Sequence, residues 1–490
     1  MIDDKNKILL VNPTGGWDAK RDDKYFFPIG LLYLQNYLLK HDIPSEIIDV
    51  KPRRLSPDDF KRVVREINPK IIGFTGSPFE RHTLHEYILG IKRCAPDALV
   101  VAGGPYFTAT AKDCLINLED VDVVVRGEGE ITLLELVRSF VLNGRYENIK
   151  GITYRGEKGC LIENENQRPC DRDECEIDIS LIPDDDIYAP FVYLKNFERE
   201  KIRALPILLS RGCIKNCTFC FNNTGRFNSR SIPLIIKEIQ LKRERFGCDY
   251  FWMVDPTFTL REAFARKLCD ALIAHAPGIK WYCETRADCS LELLKKMSEA
   301  GCVSIDFALE SGSSKVLKAI RKDMDLSLIE PFAKECKRLG MRALVFVMYS
   351  LPEETYDDFL MTMDILRKIK PYIYDTSCNR TLILPGTQME RQARCMNLLP
   401  EDFSWYDPDF KDIPEWKTLM SDEEIIKCGQ ALRDYQYSLH HSWIGYIRWK
   451  AVNLVTAHFR KSKRAAETIR RYPSVHNFLK LARKHISGSQ

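Results

Sequence analysis

The chain has 490 residues, 45% of them apolar and 29% charged, enough for about three globular domains. Its 73 basic and 69 acidic side chains leave a net charge of +4, which gives no electrostatic case for a nucleic-acid partner. No apolar run approaches the about 18 residues of a membrane span. Met1-Ile-Asp-Asp-Lys lacks the apolar core of a signal peptide, so the expected setting is the cytoplasm.

From residue 7 to residue 143 the pattern alternates. Lys7-Ile-Leu-Leu-Val-Asn predicts a strand, Pro28 to His41 a helix, and Ser45-Glu-Ile-Ile-Asp-Val a second strand. Phe60, Val63, Val64 and Ile67 then fall on one face of a helix. Lys70-Ile-Ile-Gly-Phe-Thr, Ala98-Leu-Val-Val-Ala-Gly and Val121-Asp-Val-Val-Val follow as strands, with helical patterns between and after them. Five apolar strands joined by helices predict an α/β domain, a doubly wound parallel sheet of flavodoxin-like order over residues 1–145. Such a sheet binds its ligand beyond the carboxyl ends of its strands. The loops there are Asn12-Pro-Thr-Gly-Gly, Thr75-Gly-Ser-Pro, Gly103-Gly-Pro and Arg126-Gly-Glu-Gly-Glu. Each alone is ordinary turn chemistry, but four at one sheet edge point to a large flat ligand. None follows the G-x-G-x-x-G spacing, so a dinucleotide is not indicated.

Residues 146–200 are polar, with one weak strand at Gly151-Ile-Thr-Tyr, and read as a linker. Over 201–395 a second alternation begins. Its strands are expected at Pro206–Ser210, Asp249–Val254, Lys280–Glu284, Val303–Leu309, Arg342–Tyr349 and Thr376–Leu384. Six βα units predict a partial (β/α)6 TIM-type barrel with its site at the carboxyl ends of the strands. Residues 396–490 read as a helical region that caps the barrel mouth. There Trp443, Tyr446 and Trp449 have helix-packing spacing, and Arg460-Lys-Ser-Lys-Arg reads as a solvated helix face.

The 17 cysteines are an odd number in a chain with no secretion signal, so they are expected as free thiols or metal ligands. Cys94, Cys114, Cys269 and Cys302 stand singly and read as small buried apolar groups. Cys213, Cys217 and Cys220 form C-x3-C-x2-C directly after the first barrel strand. Three thiolates so close together can hold a [4Fe-4S] cubane and leave one iron open. Structural zinc wants a fourth ligand, and no His or Cys follows until Cys248. Zinc or a buried trio of thiols are the alternatives.

The cysteine motif, with Phe219 just before its third member, resembles the radical S-adenosylmethionine superfamily. The sheet ahead of it, with Gly103-Gly-Pro and Arg126-Gly-Glu-Gly-Glu, resembles the cobalamin-binding domain of one large subgroup. The likeness covers about residues 5–390 and extends to Phe307-Ala-Leu-Glu-Ser-Gly-Ser and Thr381-Leu-Ile-Leu-Pro-Gly-Thr. The resemblance implies that Glu310 binds the ribose or amino group of S-adenosylmethionine, with Ser311 beside it and Arg286 and Asp255 near the same ligand. Alternatives are a barrel salt bridge with an arginine for Glu310, a structural role for Arg286 and a helix cap for Asp255. It also implies that Ser77, Gly103 and Gly104 cradle cobalamin, with Asn12, Thr75 and Glu128 at the same sheet edge.

Two positions depart from the family pattern. Ser350 and Glu353, in Tyr349-Ser-Leu-Pro-Glu-Glu-Thr, stand where it has glycines, and the first loop lacks Asp-x-His-x-x-Gly. His82 and His85 read as solvated or helix-facing, so cobalt would have no histidine below it. The activity implied is that of a cobalamin-dependent methyltransferase. It would methylate an unactivated carbon or phosphorus through a 5′-deoxyadenosyl radical and methylcobalamin. A cyclase or rearrangement enzyme and a non-catalytic cofactor sensor are the alternatives. Expected partners are a small-molecule or natural-product substrate and an electron donor such as flavodoxin or ferredoxin, with no nucleic acid.

Overall fold

The computed structural model describes residues 7–13, 27–183, 204–221, 225–408 and 412–440. The expectations for Trp443, Tyr446, Trp449 and the basic stretch at 460–464 fall outside these residues. Among the described residues no helix is long and apolar enough to cross a membrane.

The first sheet contains β1 (Ile8–Asn12), β2 (Glu46–Asp49), β3 (Ile71–Thr75), β4 (Leu99–Gly103) and β5 (Val123–Val125). They are parallel in the order β2-β1-β3-β4-β5, which is the expected flavodoxin-like arrangement. Every residue of β1 and β5 is buried, as a sheet covered on both faces requires. The covering helices are α1 (Ile29–Leu39), α2 (Pro57–Ile67), α3 (Arg81–Ile88), α4 (Pro105–Ala109), α5 (Ala111–Asn117) and α6 (Gly129–Asn143). Local sequence sets their ends: α2 opens on a Ser56–Asp59 capping box with Pro57 in its first turn and closes on left-handed Asn68.

The sheet does not stop at residue 145. β6 (Ile152–Arg155) and β7 (Leu161–Glu163) extend it as an antiparallel hairpin inside the expected linker. β6 is largely buried, whereas β7 is an edge strand with Ile162 and Glu163 exposed. A polar edge strand has the composition of a linker.

The second sheet is built from β8 (Ala204–Leu208), then, beyond a short hairpin, β11 (Tyr250–Val254), β12 (Lys280–Thr285), β13 (Cys302–Glu310), β14 (Arg342–Tyr349) and β15 (Asp375–Arg380). These six strands are parallel and run in sequence order from β8 to β15, as expected for the partial barrel. The hairpin pairs β9 (Ser210–Arg211) with β10 (Asn228–Ser229) and closes the foot of the cysteine loop. The outer helices are α7 (Ile232–Phe246), α8 (Glu262–His275), α9 (Leu291–Glu299), α10 (Ser314–Ala319), α11 (Ile329–Arg338) and α12 (Tyr356–Ile369). Strand alternation puts Cys283, Ile305, Phe307 and Val345 in the core beneath them, while Tyr282, Glu284, Asp306 and Phe346 lie on the opposite, inner face.

After α13 (Gln388–Cys395) the chain is not helical as expected. Residues 396–408 and 412–420 run as an irregular strap, interrupted by Pro400, Pro408 and Pro414, before α14 (Asp422–His440). The strap fastens the two sheets together. Ser404 Oγ and the Trp405 N–H donate to Asp113 at 2.7 and 2.8 Å, and Arg81 donates to the Asp412 carbonyl at 3.0 Å. Phe107 of α4 shares one apolar cluster with Met389, Trp405 and Trp416.

The barrel packs tightly on the first domain at Gly386. Its φ is +75°, and an added Cβ would lie 2.6 Å from Ala109 Cβ of α4. Gly386→Ala is therefore expected to lower stability by about 1–3 kcal/mol through overpacking and backbone strain, read as a shift of the urea midpoint.

Candidate active site

The cysteine loop leaves the carboxyl end of the first barrel strand and is pinned on both sides. The Thr218 N–H donates to the Ile320 carbonyl at 3.0 Å, and the Met389 N–H donates to the Thr218 carbonyl at 2.8 Å. Cys213 is buried and Cys217 and Cys220 are half-buried. The Lys215 N–H points at Cys213 Sγ, 3.4 Å away. Burial pushes the Cys217 thiol up; Lys322 and Arg286 pull it down, and Glu310 and Cys213 push it up again. Cys213, Cys217, Arg286 and Glu310, singled out from three separate stretches of sequence, thus share one electrostatic environment.

The donor set fits an iron–sulfur cubane. A mononuclear zinc site needs its ligands within about 4 Å of one another around one point. Among the described residues no three His, Cys, Asp or Glu side chains meet that way. A cubane takes each thiolate at a different iron, and two cations beside Cys217 suit its negative charge.

Glu310 ends β13 with φ +60°. Its carboxylate pairs with Lys322 Nζ at 2.9 Å, and both are buried. The pairing is with a lysine rather than the arginine considered from sequence. Ser311 is fully buried, and an added Cβ on Gly312 would lie 2.6 Å from Thr362 Cα, so this turn packs directly on α12. Arg286 is held by Asp288 at 2.8 Å and by the Asp323 carbonyl. Asp255 accepts from Ser210 Oγ at 2.6 Å and from the Thr257 N–H at 2.9 Å. That second bond closes a local turn; the next helix, α8, starts only at Glu262, so Asp255 does not cap it. Burial raises its carboxyl above the ordinary range.

Ser350 and Glu353 adopt φ of +62° and +59°. The backbone therefore keeps the left-handed turn that glycines favour, without glycine. Ser350 Oγ donates to the Trp416 carbonyl at 3.1 Å, and the Leu351 N–H donates to Glu354 at 3.0 Å.

On the inner barrel wall Glu284 and Asp306 are register neighbours. Burial, Glu284 and Asp375 push the Asp306 carboxyl up to about 8. Trp252 and Tyr282 stack below them at 5.9 Å. Alternation along β12 and β13 was the available signal for these residues, and sequence reasoning did not use it.

On the first sheet, Asn12, Thr75 and Gly103 end the neighbouring strands β1, β3 and β4, and Glu128 precedes α6. Gly104 has φ +88°, and an added Cβ would meet Thr75 Oγ1 at 2.7 Å, so backbone stays low along this edge. Such a glycine-lined edge fits a broad ligand. Not every side chain points outward, however: Asn12 donates to Asp49 at 3.0 Å, and Ser77 Oγ accepts from the Phe79 N–H at 3.3 Å. His85 is buried, with its ring stacked on Tyr406 at 4.6 Å, and burial holds its pKa down at about 3. The ring is thus not solvated, and it faces a helix only in part: Tyr106 of α4 stacks at 6.4 Å, while the nearer Tyr406 belongs to the later segment at 396–408.

Glu128 has a different setting from the one implied. It pairs with Arg172, and both it and Glu130 contact Arg211, two residues before Cys213. The Arg211–Glu130 distance is 2.6 Å. With the Gly386–Ala109 contact, loops from the carboxyl ends of both sheets meet in two separate places. Arg172, Arg211, Glu130 and Lys322 were missed because each is an ordinary charge until the fold pairs it.

Two predictions follow from the buried charges. Lys322→Met leaves the Glu310 carboxylate buried and unpaired, and should cost about 3–5 kcal/mol in denaturant unfolding. Glu354 is fully buried, and burial raises its carboxyl from 4.5 to about 7. Its contribution to stability is complete below pH 4.5 and is lost as pH rises through about 7, a change of up to about 3 kcal/mol. Glu354→Gln should flatten the stability profile between those two pH values.

The Radical SAM superfamily profile matches residues 207–366, and the B12 binding domain profile matches residues 23–137. An uncharacterized methyltransferase of Pyrococcus horikoshii is 28% identical, over 80% of this chain and 84% of its own. Cytidylyl-2-hydroxyethylphosphonate methyltransferase of Streptomyces wedmorensis is 26% identical, over 71% of this chain and 73% of its own. The structure of the radical S-adenosylmethionine methyltransferase TsrM of Kitasatospora setae, with cobalamin and a [4Fe-4S] cluster bound, superposes with a TM-score of 0.67. It covers 85% of this chain and 83% of TsrM at 19% identity, and shares the fold. The chain therefore carries a radical S-adenosylmethionine domain over residues 207–366 and, ahead of it, a B12-binding domain over residues 23–137.

Proposed function

We propose that the protein is a cobalamin-dependent radical S-adenosylmethionine methyltransferase acting on an unactivated carbon or phosphorus centre of a small molecule. The observation that carries this reading is the meeting of the two carboxyl-end loop sets, where Arg211 at the foot of the cysteine loop reaches Glu130 behind β5. Two cofactor edges are thereby held on one side of each sheet and next to each other. The methyltransferase relatives support the same outcome.

In this reading Cys213, Cys217 and Cys220 hold the cluster. Glu310, Ser311, Arg286 and Asp255 bind and orient S-adenosylmethionine, with Lys322 paired to the Glu310 carboxylate. The edge formed by Asn12, Thr75, Ser77, Gly103 and Gly104 receives cobalamin, and the Glu128 side chain braces that edge through Arg172. The barrel wall around Trp252, Tyr282, Glu284 and Asp306 shapes the substrate space. When bound, the reduced cluster with S-adenosylmethionine supplies a carbon-centred radical, and cobalamin supplies the methyl group. The protein's residues place these groups and keep water out. A flavodoxin or ferredoxin is the proposed electron donor, and a reducing cytoplasm the proposed setting.

The test is an anaerobic incubation of iron-reconstituted protein with cobalamin, reductant, methyl-deuterated S-adenosylmethionine and host-cell extract. Labelled methyl should enter a small-molecule product alongside 5′-deoxyadenosine. Deoxyadenosine with an unlabelled, isomeric product would point to cyclisation or rearrangement instead. Replacing Cys213, Cys217 and Cys220 by alanine should abolish deoxyadenosine formation; undiminished cleavage sinks the whole reading.

A further inference from the structure

Cys170 and Cys175 lie in the stretch that joins the two sheets and have no part in the site above. Both are buried, at 2% and 1% exposure, and their sulfurs are 3.6 Å apart. A one-turn 3-10 helix, Arg172–Glu174, separates them and folds the chain back so that the two side chains meet. Asp171 opens that turn by accepting the Asp173 N–H at 3.0 Å, and the Cys175 N–H closes it on the Arg172 carbonyl at 3.2 Å. A disulfide needs its sulfurs at about 2 Å, so the 3.6 Å between these two must close by rotation of the side chains.

We propose that Cys170 and Cys175 form a reversible disulfide, a modification site at the junction of the two domains. The oxidant is a low-molecular-weight disulfide. Cys170 attacks one of its sulfurs, breaking that S–S bond and expelling one thiolate. Cys175 then attacks Cys170 Sγ, forming the intramolecular bond and expelling the second thiolate. The two protein thiols lose two electrons and two protons, and the small disulfide leaves as two thiols. The Cys175 S–H donates to the Cys170 sulfur, which lowers the Cys170 thiol and raises that of Cys175, so Cys170 is the attacking group. Because both sulfurs are buried, the exchange runs through local opening of the turn.

The site has leverage on its surroundings. The Cys170 carbonyl accepts from Arg172 at 3.1 and 3.3 Å and from Asn228 Nδ2 at 3.2 Å. Asn228 belongs to β10, which closes the foot of the cysteine loop. Arg172 is the partner of Glu128. Cys175 Sγ is also 3.9 Å from Glu130 Oε1, so moving that sulfur toward Cys170 changes its contact with the buried carboxylate. Drawing the sulfurs together therefore acts on the hub that joins the cysteine-loop hairpin to the first domain.

The experiment equilibrates the full, cluster-loaded chain anaerobically in buffers of reduced and oxidised glutathione, traps remaining thiols with iodoacetamide, and digests with trypsin. Trypsin cuts at Arg172, between the two cysteines, so residues 159–172 and 173–195 separate unless a disulfide holds them. The expected result is one linked species, lighter than the two peptides by two hydrogens, which dithiothreitol splits. It should persist in Cys160→Ser and vanish in Cys170→Ser and in Cys175→Ser. The proposal is overturned if Cys170 and Cys175 remain separately alkylated at a poise where exposed Cys160 and Cys395 carry glutathione, or if the link survives in Cys170→Ser.

Discussion

Glu130 is 1% exposed and lies between two arginines from different parts of the chain. It stands in the first turn of α6, where the helix dipole favours a carboxylate. Arg172 arrives from the connecting stretch and Arg211 from the foot of the cysteine loop. Removing one partner from such a group leaves an uncompensated buried charge at a cost of about 3–5 kcal/mol. Replacing the whole set with apolar residues would cost much less. Its contribution is thus geometric: three segments far apart in sequence are held in one register, and the cysteine loop inherits that register from the first domain.

A parallel sheet sends all its ligand-facing loops to one end. Two such sheets in one chain produce a shared site only when those ends face each other. Here the facing is enforced twice, by the arginine–glutamate cluster and by Gly386 against Ala109, and the strap through Trp405 and Trp416 binds both domains into one apolar cluster. The strap's polar contacts with Asp113 and Arg81 fix its path without a helix.

Legibility in the sequence followed the range of the interaction responsible. Strands buried on both faces, such as β1 and β5, announce themselves as unbroken apolar runs, and the cysteine triad is a local pattern eight residues long. β6 showed only as the weak strand at Gly151-Ile-Thr-Tyr, and β7 was hidden because an edge strand has one polar face. The strap differs from the helix expected there because Pro400, Pro408 and Pro414 break the chain between its aromatic residues. Lys322 and Arg211 were invisible in a different sense: nothing in Ile320-Arg-Lys-Asp or Ser210-Arg-Gly shows that one charge will be buried against Glu310 and the other against Glu130.

The carboxyl edge of the barrel also concentrates backbone strain. Glu310, Ser350 and Glu353, none of them glycine, all adopt positive φ where β13 and β14 end. Each such conformation costs about 1–3 kcal/mol and survives only where neighbours over-determine it. They do so here: Lys322 fixes Glu310, Trp416 accepts from Ser350, and the Glu354 carboxyl holds the Leu351 N–H. The irregularity in the β13–β14 register between Ala308 and Glu310 belongs to the same turn. What the turn after β14 requires is a left-handed backbone, and glycine is only the least strained way to reach it. Loss of the two glycines therefore does not mean loss of the turn, and the burden of holding it passes to the strap residue Trp416 and to a carboxyl group buried within the barrel's own loop.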